Sequence, residues 1–490
     1  MIKKSWMQPV GAAEAAICRG FRRSYEAVRI ILLMAISGCS LMPAYERPAA
    51  PVAAAWPDSV KLKSADAITL TDWRAYFTDP RLQALIAAAL ENNRDLRIAT
   101  ARIAEARAQY GIQRADRLPN ISVNAGRLAS LTPATASSTG AESHTQRYDV
   151  SIGVVSFELD FWGRVASLNE AAKASYLATE AAQRAFRLSL IAEVANAYLS
   201  ALELRERAQL AAATVQARAE TRELTVRRRE LGVSGDLDYL QAEGAYQAAV
   251  AEQANLERQQ AAADNLLDLL LGKPLRETKD LPAGHDLAQQ AIPVALLAEL
   301  PAEVLLRRPD VLAAEQRLIA ANANIGAARA AFLPRITLTG SVGTASRSLS
   351  GLFDSGSDAW SFQPALVLPL FDAGRNAANA DVAEARKVIA VADYEKTLQQ
   401  AFREVADLLN AREKLAGQLE AQQANAAAQA QRLKLVEARY AVGIANHLEV
   451  LDAQRESFAA QQTALQVRRA LLSANAQLYK ALAAEQEEGS

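Results

Sequence analysis

Several kinds of residue are scarce in this chain, and each scarcity excludes something. Across 490 residues there are two cysteines, Cys18 and Cys39, and three histidines, His144, His285 and His447. That leaves almost no material for a Cys/His metal cluster or a Cys–His nucleophile system. No catalytic constellation, metal site or cofactor motif is legible, so the sequence argues against an enzyme. Aromatic residues make up 6% of the chain against 51% hydrophobic. The apolar surface is therefore mostly Ala, Leu and Val, which suits close-packed helices better than a bulky globular core. Charge of one sign is lacking too. The net charge is −1, with no basic stripe interleaved with aromatics, so nothing favours nucleic acid as a partner. Proline is absent between Gly163 and Pro274, which permits very long helices.

What is present at the N-terminus reads as an address. Arg19, Arg22, Arg23 and Arg29 precede an apolar run, Ile30 to Ile36, and then Ser37, Gly38 and Cys39. A basic region, a short apolar core and small residues form a secretory signal, and the run is too short to span a bilayer as a helix. The sequence Ile36-Ser37-Gly38-Cys39 resembles a bacterial lipoprotein box, which makes Cys39 the expected lipidation site and new N-terminus. The alternative is an ordinary signal with an incidental Cys39. The long leader also leaves open a start at a methionine downstream. Cleavage would remove Cys18, so the mature form could hold no intrachain disulfide.

The rest of the chain says nearly the same thing twice. Phe161-Trp162-Gly163-Arg164 opens an Ala-rich stretch that breaks at Leu231-Gly232-Val233, and Phe371-Asp372-Ala373-Gly374-Arg375 opens another that breaks at Val442-Gly443-Ile444. The register holds at 211 residues, since 374 − 163 and 443 − 232 agree. Two copies of so large a unit are a duplication, not a short-period solenoid. Each half reads as a helix, two strands, one helix of about 100 Å, a tight turn and a helix of about 55 Å. Helices are expected from Pro80 to about Arg117, from Arg164 to about Arg229, from Gly235 to about Leu271, from Asp310 to Ala331, from Arg375 to about Tyr440 and from Asn446 to about Ala483. Strands are expected around Ile121–Ala125, Val150–Phe161, Ile336–Val342 and Trp360–Leu370, with loops over 129–147 and 343–359. A one-residue slip in phase places a β-bulge near Val154 and Val155, while Pro364 and Pro369 weaken the assignment of the last strand, since proline is poorly tolerated in a central strand. Tyr148, Phe161, Trp162, Trp360 and Phe371 are expected at strand ends, either as interfacial aromatics or as plugs at a sheet–helix junction. Four strands cannot close a barrel, and free edges are a liability, so three chains supplying twelve strands is the natural completion.

The ordered set of Trp73, Phe77-Thr78-Asp79-Pro80, Leu85, Asn93, Phe161-Trp162-Gly163-Arg164, Arg308-Pro309-Asp310, Ala321-Asn322-Ala323-Asn324-Ile325-Gly326 and Val450-Leu451-Asp452-Ala453-Gln454-Arg455 on a duplicated frame resembles the TolC-like outer-membrane factors, in their lipoprotein (NodT-type) branch. The resemblance implies a mainly α fold with a small β part: a homotrimer joining a transmembrane β-barrel, four strands per chain, to a long α-helical barrel. It implies a passive exit duct for small molecules such as drugs, lipid-anchored in the outer membrane and extending into the periplasm. Its implied partners are outer-membrane lipid, a periplasmic adaptor and an inner-membrane RND-type transporter. On this organisation residues 1–38 are the signal, 39–80 an anchored extended segment, 81–271 the first repeat, 272–308 an equatorial connector, 309–484 the second repeat and 485–490 a tail. The resemblance further implies adaptor docking at Leu231, Gly232 and Val233 and at Val442, Gly443 and Ile444, although each Gly also reads simply as a helix C-cap. It implies a gate at the second tip, with Tyr440 and Asp452 matching gate positions and Glu449 at another acidic one. Three copies of Asp452 would make an acidic constriction. Asn446 and Glu449 equally form a capping box, and Asp452 equally reads as a solvated surface residue. Ala445 stands where the family has Arg, which puts the usual ion-pair pattern in doubt. Two rivals remain on sequence alone: the outer channel of a type I protein-secretion system, and a periplasmic coiled-coil lipoprotein scaffold.

Overall fold

The computed structural model describes residues 40–53, 72–138, 140–277, 281–290 and 302–482. Cys39, the leader before it and the tail 485–490 lie outside them. The elements are α1 (Trp73–Tyr76), α2 (Pro80–Asn92), α3 (Arg94–Ala115), β1 (Ile121–Thr132), β2 (Ser143–Glu158), α4 (Arg164–Glu230), α5 (Asp236–Leu271), α6 (Pro309–Ala330), β3 (Arg335–Ser346), β4 (Asp358–Val367), α7 (Arg375–Ala441) and α8 (His447–Leu482). Helices α4 and α7 have 67 residues each, and α5 and α8 have 36. At 1.5 Å per residue the long pair run about 100 Å. The 211-residue offset holds at both ends of both pairs: 375 − 164, 441 − 230, 447 − 236 and 482 − 271.

Two compact units are present, with α3, α4, α6 and α7 contributing to both. The first comprises Glu105–Tyr176, Gln316–Val391 and the described N-terminal residues up to Arg47. Its centre is one antiparallel sheet in the order β1-β2-β3-β4. Its strands have 12, 16, 12 and 10 residues, enough to span a hydrocarbon layer when tilted. The register sorts the side chains by face. Val123, Ile152, Val342 and Trp360 form one row across all four strands, and all four are exposed. The adjacent row on the opposite face is Ser122, Gly153, Ser341 and Ser361, with the last two serines joined by a 2.8 Å hydrogen bond. An exposed apolar face backed by a small polar one is the arrangement of a lipid-facing strand set. β1 and β4 each leave one edge unpaired within the sheet.

The bulge falls where the phase slip put it, between Val154 and Phe157, with Ser156 at φ 55°. Pro364 nonetheless sits in a strand, β4, opposite Leu338 at the edge of the sheet, where proline is tolerated. The strands are longer than their hydrophobic alternation indicated. β1 reaches Thr132 and β2 begins at Ser143, so both ends of the expected 129–147 loop are paired, from Ala129 with Gln146 to Thr132 with Ser143, and the connection shortens to 133–142. Polar residues such as Arg127 and Gln146 extend the ladder there, and hydrophobic period alone cannot see them. Tyr148 consequently lies inside β2, with Arg127 stacked 5.5 Å from its ring, rather than at a strand end. Trp162 donates from Nε1 to the Pro334 carbonyl at 2.7 Å, so it plugs the sheet–helix junction. Asp160 caps α4 through the N–H groups of Val165 and Ala166. Met42 packs on Ala171, Ala174, Ala320 and Ala323, and Asn322 donates to the Pro43 carbonyl at 2.8 Å, which seats the described N-terminal segment.

The second unit comprises the described parts of Pro48–Ala104, Leu177–Glu315 and Ala392–Ser490. The single helix expected from Pro80 to Arg117 is two. Asn93 leaves helical geometry at φ −57°, ψ 130°, donates to the Leu270 carbonyl and accepts from the Leu96 N–H. One side chain thus interrupts the helix and caps its successor. Asp79 is buried: it caps α2 through the Arg81 N–H and accepts from the Tyr198 hydroxyl at 2.8 Å and from Gln290. Arg308 is buried as well. Its guanidinium grips Asp310 with two bonds of 3.0 and 2.7 Å, meets Glu404 at 2.8 Å and donates to the Ala481 carbonyl at 3.0 Å. It therefore ties the start of α6 to α7 and to the end of α8.

Removing the buried cation from that set leaves Asp310 without its ion pair and Glu404 with Lys480 alone, at 3.5 Å. Arg308→Met should destabilise the folded protein by about 3–5 kcal/mol, measured by chemical denaturation of the purified protein, and a loss within noise would contradict the assignment. Burial alone would push the Asp310 carboxyl up, but the Arg308 hydrogen bonds and charge outweigh it and hold it low. Its contribution is therefore complete above the ordinary carboxylate range and is lost as pH falls below that range through the lowered Asp310 value.

Candidate functional site at the helix tips

The two long hairpins end in the same turn, and the reason is backbone chemistry. At the first, the Gly232 N–H donates to the Arg229 carbonyl at 3.0 Å and the Val233 N–H to the Arg228 carbonyl at 2.8 Å. At the second, the Gly443 N–H donates to Tyr440 at 3.0 Å and the Ile444 N–H to Arg439 at 2.9 Å. Both are Schellman turns, and both need left-handed glycine, at φ 73° and 80°. A Cβ added to either glycine would meet no heavy atom within 4 Å, so the constraint is conformational, not steric. Leu231, Val233, Val442 and Ile444 flank these glycines and are all exposed. The structure thus brings each expected docking triplet into one exposed apolar turn.

The expected gate residues do not form one cluster. Tyr440 packs against the core of Val436, Ala445, Val450 and Ala453. Its hydroxyl accepts from Arg228 Nη1 at 2.7 Å, across to the first hairpin, with the same guanidinium 5.1 Å from the ring centroid. A hydrogen bond with a charged donor is worth about 1.5–3 kcal/mol before solvent screening. Asp452 points elsewhere. It bonds Arg432 and Arg455, both at 2.6 Å, and so joins α8 to α7 within the second hairpin. The hydrogen bond from Arg432 is the main reason its carboxyl is held below the ordinary range. Asn446 caps α8 by accepting the Glu449 N–H at Oδ1, 2.9 Å, and Glu449 Oε1 accepts the Asn446 N–H in return at 3.5 Å, with its carboxylate 3.9 Å from Arg439. The capping reading of Glu449 therefore holds, with Arg439 as a looser partner.

Ala445 explains why the ion-pair pattern looked doubtful. It is 7% exposed and buried in the Tyr440 core, where an arginine has no room to stay solvated. The cations come from other positions: Arg228, Arg432, Arg439 and Arg455. Sequence reasoning missed all four, and one signal could have found Arg228. The 211-residue offset maps Arg439 onto Arg228 and Glu449 onto Asp238, so the duplication itself marks both. A groove of about 670 Å³ separates the hairpins, lined by Arg218, Gln241 and Ala245 on one side and by Arg432, Glu449 and Asp452 on the other. Among the described residues no His/Cys/Asp/Glu group is arranged to hold a metal ion.

Comparison with known proteins places this architecture. The model of the family described as "Outer membrane efflux protein" matches residues 85–273 and 300–484. The chain is 46% identical over 439 residues to outer membrane protein OprJ of Pseudomonas aeruginosa, covering 88% of this chain and 89% of OprJ. It is 44% identical over 462 residues to the toluene efflux pump outer membrane protein TtgF of Pseudomonas putida, covering 92% and 95%. Among solved structures, the open state of the Neisseria gonorrhoeae MtrE outer membrane channel superposes with a TM-score of 0.82 at 39% identity, covering 92% of this chain and 100% of that one. The outer-membrane channel OprN gives 0.83 at 31% identity, covering 91% and 99%. The chain belongs to the outer membrane efflux protein family. It is an outer-membrane efflux channel, a passive conduit and not an enzyme. This removes the scaffold rival, which had no place for a four-stranded sheet.

Proposed function

We propose that this chain is the homotrimeric exit duct of a tripartite pump, exporting small molecules such as drugs and solvents. Three copies of the open sheet close into a twelve-stranded barrel. Cys39 carries the acyl anchor, a periplasmic adaptor docks at the two glycine turns, and an inner-membrane RND-type transporter supplies the energy. The observation that carries the reading is the sheet: one exposed apolar face, one small polar face and two free edges, which only lipid and further copies satisfy. The pump-component names of the relatives favour small molecules over secreted proteins as cargo. At rest the tips are held by the bond from Arg228 to Tyr440 and by the Asp452 pairs, and opening swings the second hairpin from the first, a hinge motion between two states.

Tyr440→Phe combined with Asp452→Ala should raise open probability and conductance severalfold in planar bilayers and increase leak of large antibiotics into cells. Arg228 supplies to Tyr440 the donor that Ala445 cannot. Unchanged conductance in the double variant would place the gate elsewhere. At the turns, Gly232→Asp or Gly443→Asp costs about 1 kcal/mol in left-handed backbone, too little to unfold the protein. Trimers should survive and export should be lost, read as trimer bands beside antibiotic susceptibility. Full resistance in either variant would refute docking at that turn.

A further inference from the structure

His447 is the first residue of α8 and stands directly behind Tyr440. It is 6% exposed, and neither ring nitrogen has a hydrogen-bond partner among the described residues. Its ring centroid lies 5.9 Å from that of Tyr440, tilted by 46°. The charged groups facing it come from the first hairpin: Arg228 on α4 and Asp238 on α5. Asp238 also accepts from the Ser234 hydroxyl at 2.7 Å. From α7 the facing titratable group is Tyr440 itself, and on α8 Glu449 is engaged by the Asn446 cap and Arg439. Burial chiefly opposes a proton on this ring; Asp238 favours one and Arg228 opposes it, leaving the pKa below the ordinary histidine value. The partial positive charge of a helix N-terminus opposes a proton further.

We propose that His447 is a proton-sensitive positioning residue of the gate: the neutral ring backs Tyr440 where it meets Arg228, and the imidazolium leaves that site and releases the link. The inference rests on the reading of the Tyr440–Arg228 link as the gate. The neutral ring is held by its contacts alone, since its N–H and its lone pair are both unmet. An imidazolium there would be a second buried cation beside Arg228 with no hydrogen bond made to either ring nitrogen; Asp238 faces it but does not outweigh burial, so it gains by moving into water. The sign follows. A histidine whose closed-state pKa is depressed holds fewer protons closed than open, so closure is favoured at neutral pH and weakens as pH falls below the ordinary histidine value. Asp452 does not produce this step, because its carboxyl is held low by Arg432.

The test is single-channel recording of the full-length protein in planar bilayers, with pH on the tip side taken from about 7.5 to about 5.5; a free histidine in the open state allows up to about a tenfold rise in the open-to-closed ratio per chain. Wild type should open reversibly with acid. His447→Gln and His447→Phe, the second keeping the buried ring volume, should give channels whose open probability is flat over that range. A wild type insensitive to acid, or an acid response kept in both variants, overturns the proposal. Tyr440→Phe recorded at neutral pH separates the two readings. If it opens the channel while wild type ignores acid, the gate stands and the histidine inference falls. If it leaves the channel closed, both fall.

Discussion

At the tips, the hydrogen bond from Arg228 to Tyr440 joins two helical hairpins that are also tied further along by Arg207 to Gln462 and by Arg469 to Glu203. The first is zipped by Arg218 to the Ala245 carbonyl, by Arg222 to Glu243 and by Arg229 to Asp236. The second is zipped by Arg432 to Asp452 and by Arg439 to Glu449. Apolar burial cannot take over the joining at the tips, because Leu231, Val233, Val442 and Ile444 all face outward. A polar link of a few kcal/mol at the tips can release there while the hairpins stay joined further along, which suits two tip states. That is the physical requirement for a gate in a channel that has no energy source of its own.

The same division of labour runs through the chain. Ala-rich faces let the helices pack closely along their length, as at Ala192, Ala195, Leu199 and Ala201 on α4. Buried ionic centres then fix the second unit where apolar packing alone would allow sliding: Arg308 with Asp310 and Glu404, and Glu203 with Arg207 and Arg469. The sheet of the first unit does the opposite and leaves its apolar row outside, which is tolerable only where lipid covers it. Stiffness is thus built by burial and membrane residence by exposure, and the proposed gating rests on a small number of polar contacts at the tips.

Much of this was legible in the sequence, and the remainder was hidden for identifiable reasons. Helix lengths followed from the missing prolines and from Gly232 and Gly443, because backbone geometry at a C-cap is a local property. The bulge followed from a phase slip. The longer strand ends did not, because polar residues such as Arg127 and Gln146 pair as well as apolar ones once the sheet exists. Asn93 breaks its helix through the Leu270 carbonyl, a partner 177 residues away, and no local pattern announces that. The gate was half legible. Tyr440, Glu449 and Asp452 were proposed by resemblance, but their cations come from the same helix, from across a turn or from the other hairpin, and none stands at Ala445. His447 looked like nothing in sequence, since its interest lies entirely in its burial and in the absence of partners for its ring.

A double-mutant cycle between Arg228 and Tyr440, read out as the open-to-closed ratio in single-channel records, is the most direct measurement. Arg228→Gln, Tyr440→Phe and the pair would be compared with wild type at one pH and salt concentration. If the two side chains act through one bond, the double variant opens no further than the more open single variant, with a coupling of about 0.5–3 kcal/mol between them. If the two effects simply add, Arg228 and Tyr440 act independently, and the bond between the hairpins is not what holds the channel shut.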